Sequence, residues 1–231
     1  MTTTTVKLGK ETLAILKNFA ALNSNILINE GNTIKTLTGT KNIMAIAHVE
    51  EQFPVKFGIW DLNKFLSTVS LFRDPEFEFE DKYVIIGDPN GSSVKYYYSD
   101  QSLLTVPTRD ITMPDTVLSV SLSQQTFMEL QKASSVLQLP DLTIRPSEDG
   151  KSILAVVDDR QDPTSNNYSV NLGDNPCEEN FVFNFKSDLL RMYPGDYTVN
   201  FTETVISEFV NASGVDLTYY IALESSSKYG D

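Results

Sequence analysis

The sequence predicts an α+β protein in which one small domain occurs twice. The chain has 231 residues, of which 41% are hydrophobic and 10% aromatic, which is ample for a packed core and far too apolar for a disordered chain. Helical and strand-like hydrophobic patterns follow one another in the same order, helix, strands, helix, strands, in each half. This repeated order predicts two copies of one α+β domain.

The first half begins with the clearest helix of the chain, predicted over residues 10–22. The apolar residues that recur there at helical spacing, and so predict one broad buried face, are Leu13, Leu16, Phe19 and Ala20. A second helix is predicted to begin at Asp61, a favourable N-cap residue, and to end before Pro75. Strands are predicted near residues 26–28, 33–37, 43–49, 55–60, 76–80, 83–87 and 94–98.

A connector separates the two halves. Residues 99–116 contain Pro107 and Pro114 among scattered polar residues and show no sustained hydrophobic period. We therefore predict three parts: an N-terminal domain over 1–98, an interdomain connector over 99–116, and a C-terminal domain over 117–231.

The second half repeats the pattern of the first. Ser123 is predicted to cap a helix that runs to Leu137, and a shorter helix is predicted over 186–193, where Pro194 and Gly195 end it. Strands are predicted near residues 142–145, 153–157, 168–172, 197–202, 206–211 and 217–224.

Residues that could carry catalysis are scarce. His48 is the only histidine and lies in an alternating, strand-like run, and the single Cys177 excludes an internal disulfide or a cysteine zinc site. Neither common glycine-rich phosphate loop occurs. The carboxylates Asp158, Asp159 and Asp162 form a solvated loop rather than a recognisable metal motif. An enzyme is therefore poorly supported, and no cofactor or metal is predicted.

The charges of this acidic chain are unevenly distributed between its predicted helices and the remaining residues. The net charge of −13 disfavours nucleic acid as a partner. Assigned to four predicted helices, taken as 7–19, 61–73, 123–137 and 186–193, the charge is +4, and the remainder carries −17. Lys10 and Lys17 lie on one stripe of the first helix. Two interpretations stay open: ordinary solvated lysines on helix surfaces, or one positive surface on an otherwise acidic body.

Short segments spread over nearly the whole chain carry a family resemblance. They are VKLGKE (6–11), LKNFA (16–20), WDLNKFL (60–66), LQL (137–139), YPGDY (193–197) and YYIALE (219–224). In their order, spacing and duplicated context, the chain resembles the DNA polymerase sliding clamps of T-even-type bacteriophages.

This resemblance implies a fold and a function. Clamps of this family are homotrimeric rings whose subunits have two similar clamp domains, with helices lining a central hole and antiparallel sheets outside. The chain is then expected to be a non-enzymatic processivity factor in phage DNA replication. Its expected partners are duplex DNA, the replicative DNA polymerase, a clamp loader ATPase complex and two further copies of itself. Without a signal peptide or membrane span, it is expected in the cytoplasm of the infected bacterial host.

The resemblance also implies three sets of site residues. The DNA-facing set, in which Lys64, Lys132 and Lys186 are assigned by helix membership alone, is Lys10, Lys17, Lys64, Lys132, Lys186 and Arg191. The subunit-interface set, on two edge strands that would pair between copies, is Val94, Tyr96, Tyr98, Tyr168, Val170 and Leu172. The set for an apolar pocket that binds a polymerase peptide is Leu103, Leu104, Val106, Tyr220, Ala222 and Leu223.

Alternatives to each assignment remain open. The two edge strands could be internal strands of a monomer, and the pocket residues could belong to the core. The third helix departs from the basic pattern because Glu129 balances its one lysine, Lys132. A virion structural or assembly protein is the main alternative function, because acidic β-rich subunits with edge strands also suit shells and tails. An acidic DNA mimic is a further alternative, which the basic helices disfavour.

Overall fold

A computed structural model describes residues 4–88, 91–187, 191–203 and 206–230. It divides into two compact units, Met1–Asp110 and Ile111–Asp231. The division after Asp110 falls inside the predicted connector.

Among its described residues, unit 1 contains two α-helices, a short 3-10 helix at Gln101–Leu103 and eight strands. In chain order these are β1 (Thr4–Lys7), α1 (Lys10–Leu22), β2 (Ile26–Ile28), β3 (Gly31–Leu37), β4 (Ile43–Phe53), β5 (Phe57–Ile59), α2 (Leu62–Val69), β6 (Glu76–Phe79), β7 (Tyr83–Gly87) and β8 (Ser93–Tyr97). Four strands form an antiparallel sheet in the order β1-β6-β7-β8. The others pair two by two, β3 with β4 and β2 with β5.

Unit 2 has one described helix and nine strands. These are β9 (Leu118–Leu122), α3 (Gln124–Leu137), β10 (Asp141–Pro146), β11 (Ser152–Asp158), β12 (Tyr168–Asp174), β13 (Phe181–Lys186), β14 (Tyr197–Phe201), β15 (Ile206–Asn211), β16 (Leu217–Ala222) and β17 (Lys228–Tyr229). Strands β9, β14, β15 and β16 pair in that order, and β12-β11-β10-β13-β17 form a second sheet.

The strand order confirms the predicted duplication. In unit 1 the strand before the first helix pairs with β6, which leads to β7 and β8; in unit 2 the strand before α3 pairs with β14, which leads to β15 and β16. The second sheet repeats as well, because β4-β3 and β2-β5 correspond to β12-β11 and β10-β13. The chain is therefore an α+β protein of two similar domains.

In unit 1, both helices bury one apolar side and pack against each other. Helix α1 buries Ile15, Leu16 and Phe19, and α2 buries Leu62 and Phe65. The Phe65 ring lies edge-on to that of Tyr96 on β8, with centroids 5.1 Å apart, so α2 rests on the sheet.

A distant carboxylate caps α1. The N-cap residue Gly9 has no side chain to accept a hydrogen bond, and Glu51 of β4 serves instead. Its carboxylate accepts hydrogen bonds from the Gly9 backbone N–H and, at 2.6 Å, from the Thr12 hydroxyl. A negative charge at this end also opposes the helix dipole. Glu51 thereby fixes the start of α1 relative to β4.

In unit 2, α3 packs on β11 and β12 and buries Phe127 and Leu130. The Ser123 side chain accepts a hydrogen bond from the Thr126 N–H at 3.1 Å, so the predicted cap is present. The core is aromatic: the rings of Phe183 and Phe201 stack with their centroids 4.4 Å apart.

The first helix span in the charge count, 7–19, begins and ends too early, because α1 covers Lys10–Leu22, and the second span, 61–73, ends too late. Lys7 belongs to β1, opposite Glu76, and its ammonium lies 2.8 Å from Asp74 and 3.2 Å from Glu76. Helix α2 ends at Val69 instead of reaching Arg73.

The predicted helix over 186–193 is wrong at both ends. Lys186 is the last residue of β13, opposite Asp141, and residues 191–193 are not helical. Residues 188–190 lie outside the described residues. The alternating Phe181, Phe183 and Phe185 continue the strand to Lys186. The three described helices thus hold four basic and two acidic residues, a net charge of +2 instead of +4.

Candidate functional site

Helix α1 presents two lysines on its exposed side. Lys10 and Lys17 are both exposed, whereas Ile15, Leu16 and Phe19 on the other side are buried. Seven residues bring the two lysines within about 20° of each other around the helix axis. Within the described part of the chain, neither ammonium group has an ion-pair partner. We call Lys10 and Lys17 the lysine stripe.

Two cationic residues lie on or just after α2, and their surroundings differ. Lys64 is exposed near the helix start, where Asp61 accepts a hydrogen bond from its backbone N–H at 2.9 Å. Arg73 follows the helix and lines, together with Lys17, a cleft of about 280 Å³ whose apolar residues include Leu13 and Phe72. The sequence prediction omitted Arg73 from the DNA-facing set; only the fold brings it to the same cleft as Lys17.

Helix α3 exposes a nearly neutral surface. Its lysine, Lys132, shares a helix surface depression with Met128 and Glu129. Met128 is 57% exposed and Val136 70% exposed. The single acidic residue of this helix cancels its single cation, as the sequence predicts.

Lys186 is held by a buried carboxylate. Its ammonium lies 2.7 Å from Oδ1 of Asp141, and the Arg160 guanidinium lies 2.8 Å from the same oxygen. The Asp141 side chain is only 2% exposed. Burial opposes ionisation of Asp141, but hydrogen bonds from Arg160 and Lys186 outweigh it and lower the pKa of this carboxyl. The assignment of Lys186 by helix membership therefore loses its basis, whereas Arg191 is exposed.

A second carboxylate shares this environment. Asp158 stands opposite Asp141 in the register of β10 and β11. Burial, and secondarily the charge of Asp141, raises the pKa of Asp158. Its Oδ1 is buried and has no hydrogen-bond partner among the described residues.

The six predicted interface residues lie on two sheet edges. Strand β8 ends the sheet β1-β6-β7-β8, and β12 ends the sheet β12-β11-β10-β13-β17. Val94 and Tyr96 of β8, with Tyr98 directly after it, share the side that faces the helices of unit 1, since the Tyr96 ring packs on Phe65. On the opposite side, the Lys95 ammonium lies 3.7 Å from the centre of the Tyr83 ring.

On β12, Tyr168 and Val170 share one side, and Leu172 lies where the register with β11 shifts. Tyr168, Val170 and Leu172 alternate with Ser169 and Asn171, which are exposed. Strand β12 contacts α3, so each edge has a helix packed against its sheet.

The pocket residues differ in their accessibility. Leu103 is 63% exposed, whereas Leu104 is buried at 9%. A Cβ atom added at Gly58 would lie 2.7 Å from Leu104 Cδ1, so Leu104 packs directly on the Gly58 backbone and belongs to the core of unit 1. In unit 2, Tyr220 and Ala222 of β16 alternate with the buried Tyr219 and Ile221.

No described helix is long and apolar enough to cross a membrane. Over the described ranges, no three histidine, cysteine, aspartate or glutamate side chains are grouped so that they could hold a metal ion.

Comparisons with known proteins give a consistent result. The family model described as "gp45 sliding clamp, C terminal" matches residues 120–225. The sliding clamp of Vibrio phage KVP40 is 30% identical over 223 residues, which cover 95% of this chain and 100% of the relative. The sliding clamp of Enterobacteria phage T4 is 28% identical over 228 residues, covering 97% and 99%.

Solved structures share the fold at lower identity. The crystal structure of Proliferating Cellular Nuclear Antigen from Entamoeba histolytica matches with a TM-score of 0.71 and 12% identity, covering 97% of this chain and 100% of that one. The A. fulgidus PCNA bound to the C-terminal region of FEN-1 matches with a TM-score of 0.69 and 14% identity, covering 95% and 98%. These matches identify the two-domain clamp fold. Together with the near-complete coverage of its phage relatives, they lead to one conclusion: the chain belongs to the sliding clamp family.

Proposed function

We propose that this chain is a sliding clamp that encircles duplex DNA and tethers the replicative DNA polymerase as a processivity factor in phage replication. It acts as a homotrimeric ring, is loaded by an ATP-driven clamp loader complex, and works in the cytoplasm of the infected host. It catalyses no reaction and needs no cofactor. The observation that carries the proposal is the exposed lysine stripe, without ion-pair partners in the described chain, on the first helix of a clamp fold.

Charge supports the contact with DNA. A net charge of −13 repels DNA from most of the surface, and a local cationic helix attracts phosphates. Contacts to phosphates carry no sequence information, so a ring that uses them can move along the duplex. Lys10, Lys17, Lys64 and Arg73 are the residues of unit 1 that we assign to this role. Lys132 and Arg191 contribute from unit 2, and Lys186 contributes less because its ammonium is held by Asp141.

Two different edges support assembly into a ring. Strand β8 of one copy pairs with β12 of the next, through Val94, Tyr96 and Tyr98 on one side and Tyr168 and Val170, with Leu172, on the other. Because the two edges differ, the contact is head-to-tail, and such contacts close into a ring when the rotation per copy permits. An exposed edge strand needs a partner or a cover.

We assign the polymerase peptide to apolar side chains on the connector and the C-terminal strand. Leu103 and Val106 supply the connector side, and Tyr220, Ala222 and Leu223 the other. Leu104 supports the connector from inside the core instead of contacting the peptide. The exposed Leu103 is the member most available to a partner.

A replication assay tests the proposal. Product length on a long primed template is measured with the cognate polymerase and clamp loader, with and without this protein. We expect longer products only when the protein, the loader and ATP are all present. Light scattering on the same preparation should give the mass of a closed trimer. Unchanged product length together with an open polymer would instead support a virion structural or assembly protein.

A further inference from the structure

Three consecutive residues after α1 form a junction inside unit 1. Asn23 is the C-cap of α1, and its backbone N–H donates to the Phe19 carbonyl at 2.9 Å. The carbonyl of the next residue, Ser24, accepts a hydrogen bond from the Leu62 N–H at the start of α2, at 2.7 Å. Asn25 then leads into β2. The segment follows one helix and holds the start of the other, so its backbone is fixed on two sides.

Both asparagines of this segment are buried, and both side chains contact the connector. Asn23 is 9% exposed and Asn25 7% exposed. The Asn23 amide nitrogen donates to the Thr105 carbonyl at 3.1 Å and to the Leu37 carbonyl at 2.9 Å. The Asn25 amide oxygen accepts a hydrogen bond from the Thr105 N–H at 2.9 Å. Side chains that lie 82 and 80 residues earlier in the chain therefore hold both backbone groups of Thr105.

The two asparagines also hold each other. The Asn25 backbone N–H donates to the side-chain oxygen of Asn23 at 3.1 Å. The Asn23 amide thus uses its nitrogen as a donor and its oxygen as an acceptor, and a half-turn of the amide would place the wrong group at every contact. We call Asn23 and Asn25 the amide clasp.

The amide clasp takes the place of strand pairing at this point of the connector. Residues 104–117, all of which are described, belong to no helix or strand. A segment without such pairing keeps one conformation only where other contacts hold it. Leu104 has extended backbone angles, φ −94° and ψ 142°, so Leu103 and Thr105 point away from the side on which Leu104 is buried. Holding Thr105 therefore keeps Leu103, which is 63% exposed, at the surface.

We propose that Asn23 and Asn25 are positioning residues for the partner site on the connector: by holding Thr105, they present Leu103 in the conformation that the replicative polymerase binds. This inference rests on the proposed function, which assigns Leu103 to the polymerase-peptide site. Both asparagines are buried, so they act through the connector and do not touch the polymerase. A segment that is already ordered loses less conformational entropy when a partner docks.

Loss of the amide clasp has a defined physical effect. Asn25→Ala removes the acceptor of the Thr105 N–H, and a partly buried donor without a partner is unfavourable. The connector then also populates conformations in which this N–H reaches water and Leu103 is displaced. The apparent dissociation constant rises as the fraction of the binding-competent conformation falls, so a decrease to about one fifth gives about fivefold weaker binding.

Polymerase binding in the absence of DNA tests the proposal. The cognate polymerase is immobilised, and surface plasmon resonance gives the dissociation constants of the unsubstituted protein and of its variants. We expect binding about fivefold weaker for Asn25→Ala and about tenfold weaker for Leu103→Ala, which removes the exposed anchor itself. Light scattering and circular dichroism should show an unchanged trimer. If Asn25→Ala does not fold, Asn25→Ser, which keeps a polar group at this buried position, replaces it.

The double variant separates positioning from general damage. If Asn25 acts through Leu103, the two losses are not independent. Asn25→Ala with Leu103→Ala should then bind about as weakly as Leu103→Ala alone, instead of about fiftyfold more weakly than the unsubstituted protein. Losses that multiply fully would mean that Asn25 affects binding by another route, and would overturn the inference.

Asn42→Ala is the matched control. The Asn42 amide oxygen accepts hydrogen bonds from the Thr38 hydroxyl at 2.8 Å and the Thr40 hydroxyl at 2.5 Å, in the turn between β3 and β4. This variant also removes an amide acceptor from unit 1, but away from the connector. We expect unchanged polymerase binding. Weakening equal to that of Asn25→Ala would point to a general loss of stability and contradict the proposal.

The remaining outcomes separate the amide clasp from the proposed function. Weaker binding of Leu103→Ala with unchanged binding of Asn25→Ala would overturn the amide clasp and leave the peptide site in place. Unchanged binding of Leu103→Ala would overturn the peptide site on the connector, and the inference with it. Amide hydrogen exchange should be faster at residues 103–106 in Asn25→Ala than in Asn42→Ala. Equal exchange there would overturn the inference even if binding fell.

Discussion

The two units share one strand order but expose different helix surfaces. In unit 1 the lysine stripe of α1 and the nearby Arg73 are exposed, and the described chain provides the stripe with no carboxylate partner. In unit 2, α3 presents Met128 and Val136, and the ammonium of Lys186 is paired with Asp141. Duplication of the fold has therefore not duplicated the charge. We expect unit 1 to provide most of the attraction for DNA phosphates, because the helix surface of unit 2 is nearly neutral.

The largest expected effect concerns Asp141, the carboxylate shared by Lys186 and Arg160. Asp141→Ala removes the partner of Lys186 and Arg160 and should destabilise unit 2 by about 3 kcal/mol, because one partner of a buried charge cluster is lost. Urea denaturation measures the free energy of unfolding. Glu148→Ala, at an exposed position, is the control and should change it by less than about 0.5 kcal/mol. Equal effects would mean that the cluster contributes nothing to stability.

The next effect tests the unequal charge of the two units. Lys10→Glu with Lys17→Glu should lower polymerase stimulation by about tenfold, because four units of charge change where phosphates approach. The trimer mass should not change. Lys132→Glu with Gln125→Glu on α3 should have a smaller effect on stimulation. A loss of the trimer in the α1 variant would mean that its lysines are structural.

A smaller effect is expected at the cap of α1. Glu51→Ala should cost about 1 kcal/mol of stability, since the Gly9 N–H and the Thr12 hydroxyl lose their acceptor. Thermal unfolding measures the loss. The neighbouring Gln52→Ala, at an exposed position of the same strand, is the matched control and should leave the melting temperature nearly unchanged.

The smallest effect concerns pH. Burial raises the pKa of Asp158 above its unfolded value, so its protonated form is favoured in the folded protein. Its stabilising contribution is therefore present below the unfolded pKa, about 3.9, and is lost as pH rises through the folded pKa. The pKa of Asp141 is lowered, so Asp141 stabilises the fold when it is ionised. This contribution is lost only as the pH falls below the unfolded pKa of an aspartate. We therefore expect Asp158→Asn to be more stable than the unsubstituted protein at pH 7 by a fraction of a kcal/mol, and to show less of this advantage at pH 4. Urea denaturation at both pH values measures the difference in the free energy of unfolding.

Local patterns predicted much of this fold. The spacing of Leu13, Leu16 and Phe19 identified α1, and the alternation in β8 and β12 identified two strands that prove to be sheet edges. The duplicated order of elements was readable because each helix and strand carries its own hydrophobic period.

Features that depend on residues far apart in the chain could not be predicted. Lys186 continues a strand because it pairs opposite Asp141, 45 residues away, although the local sequence suggested a helix. The shared cleft of Lys17 and Arg73 likewise arises only when α1 and α2 pack together. No local pattern contains this information, since tertiary contacts override weak local preferences. The DNA-facing, interface and pocket residues themselves stay predictions.

Glu51 contacts residues that lie far from it in the sequence, and this has a consequence for the order of folding. Its contacts with Gly9 and Thr12 span 42 and 39 residues, so the first turn of α1 lacks its acceptor until β4 has been synthesised and docked. Closing so long a loop comes late relative to local helix formation. The helix can form early, but the direction in which its lysines project becomes fixed only with β4. A nascent chain therefore acquires an oriented cationic face only after its first fifty or so residues have left the ribosome.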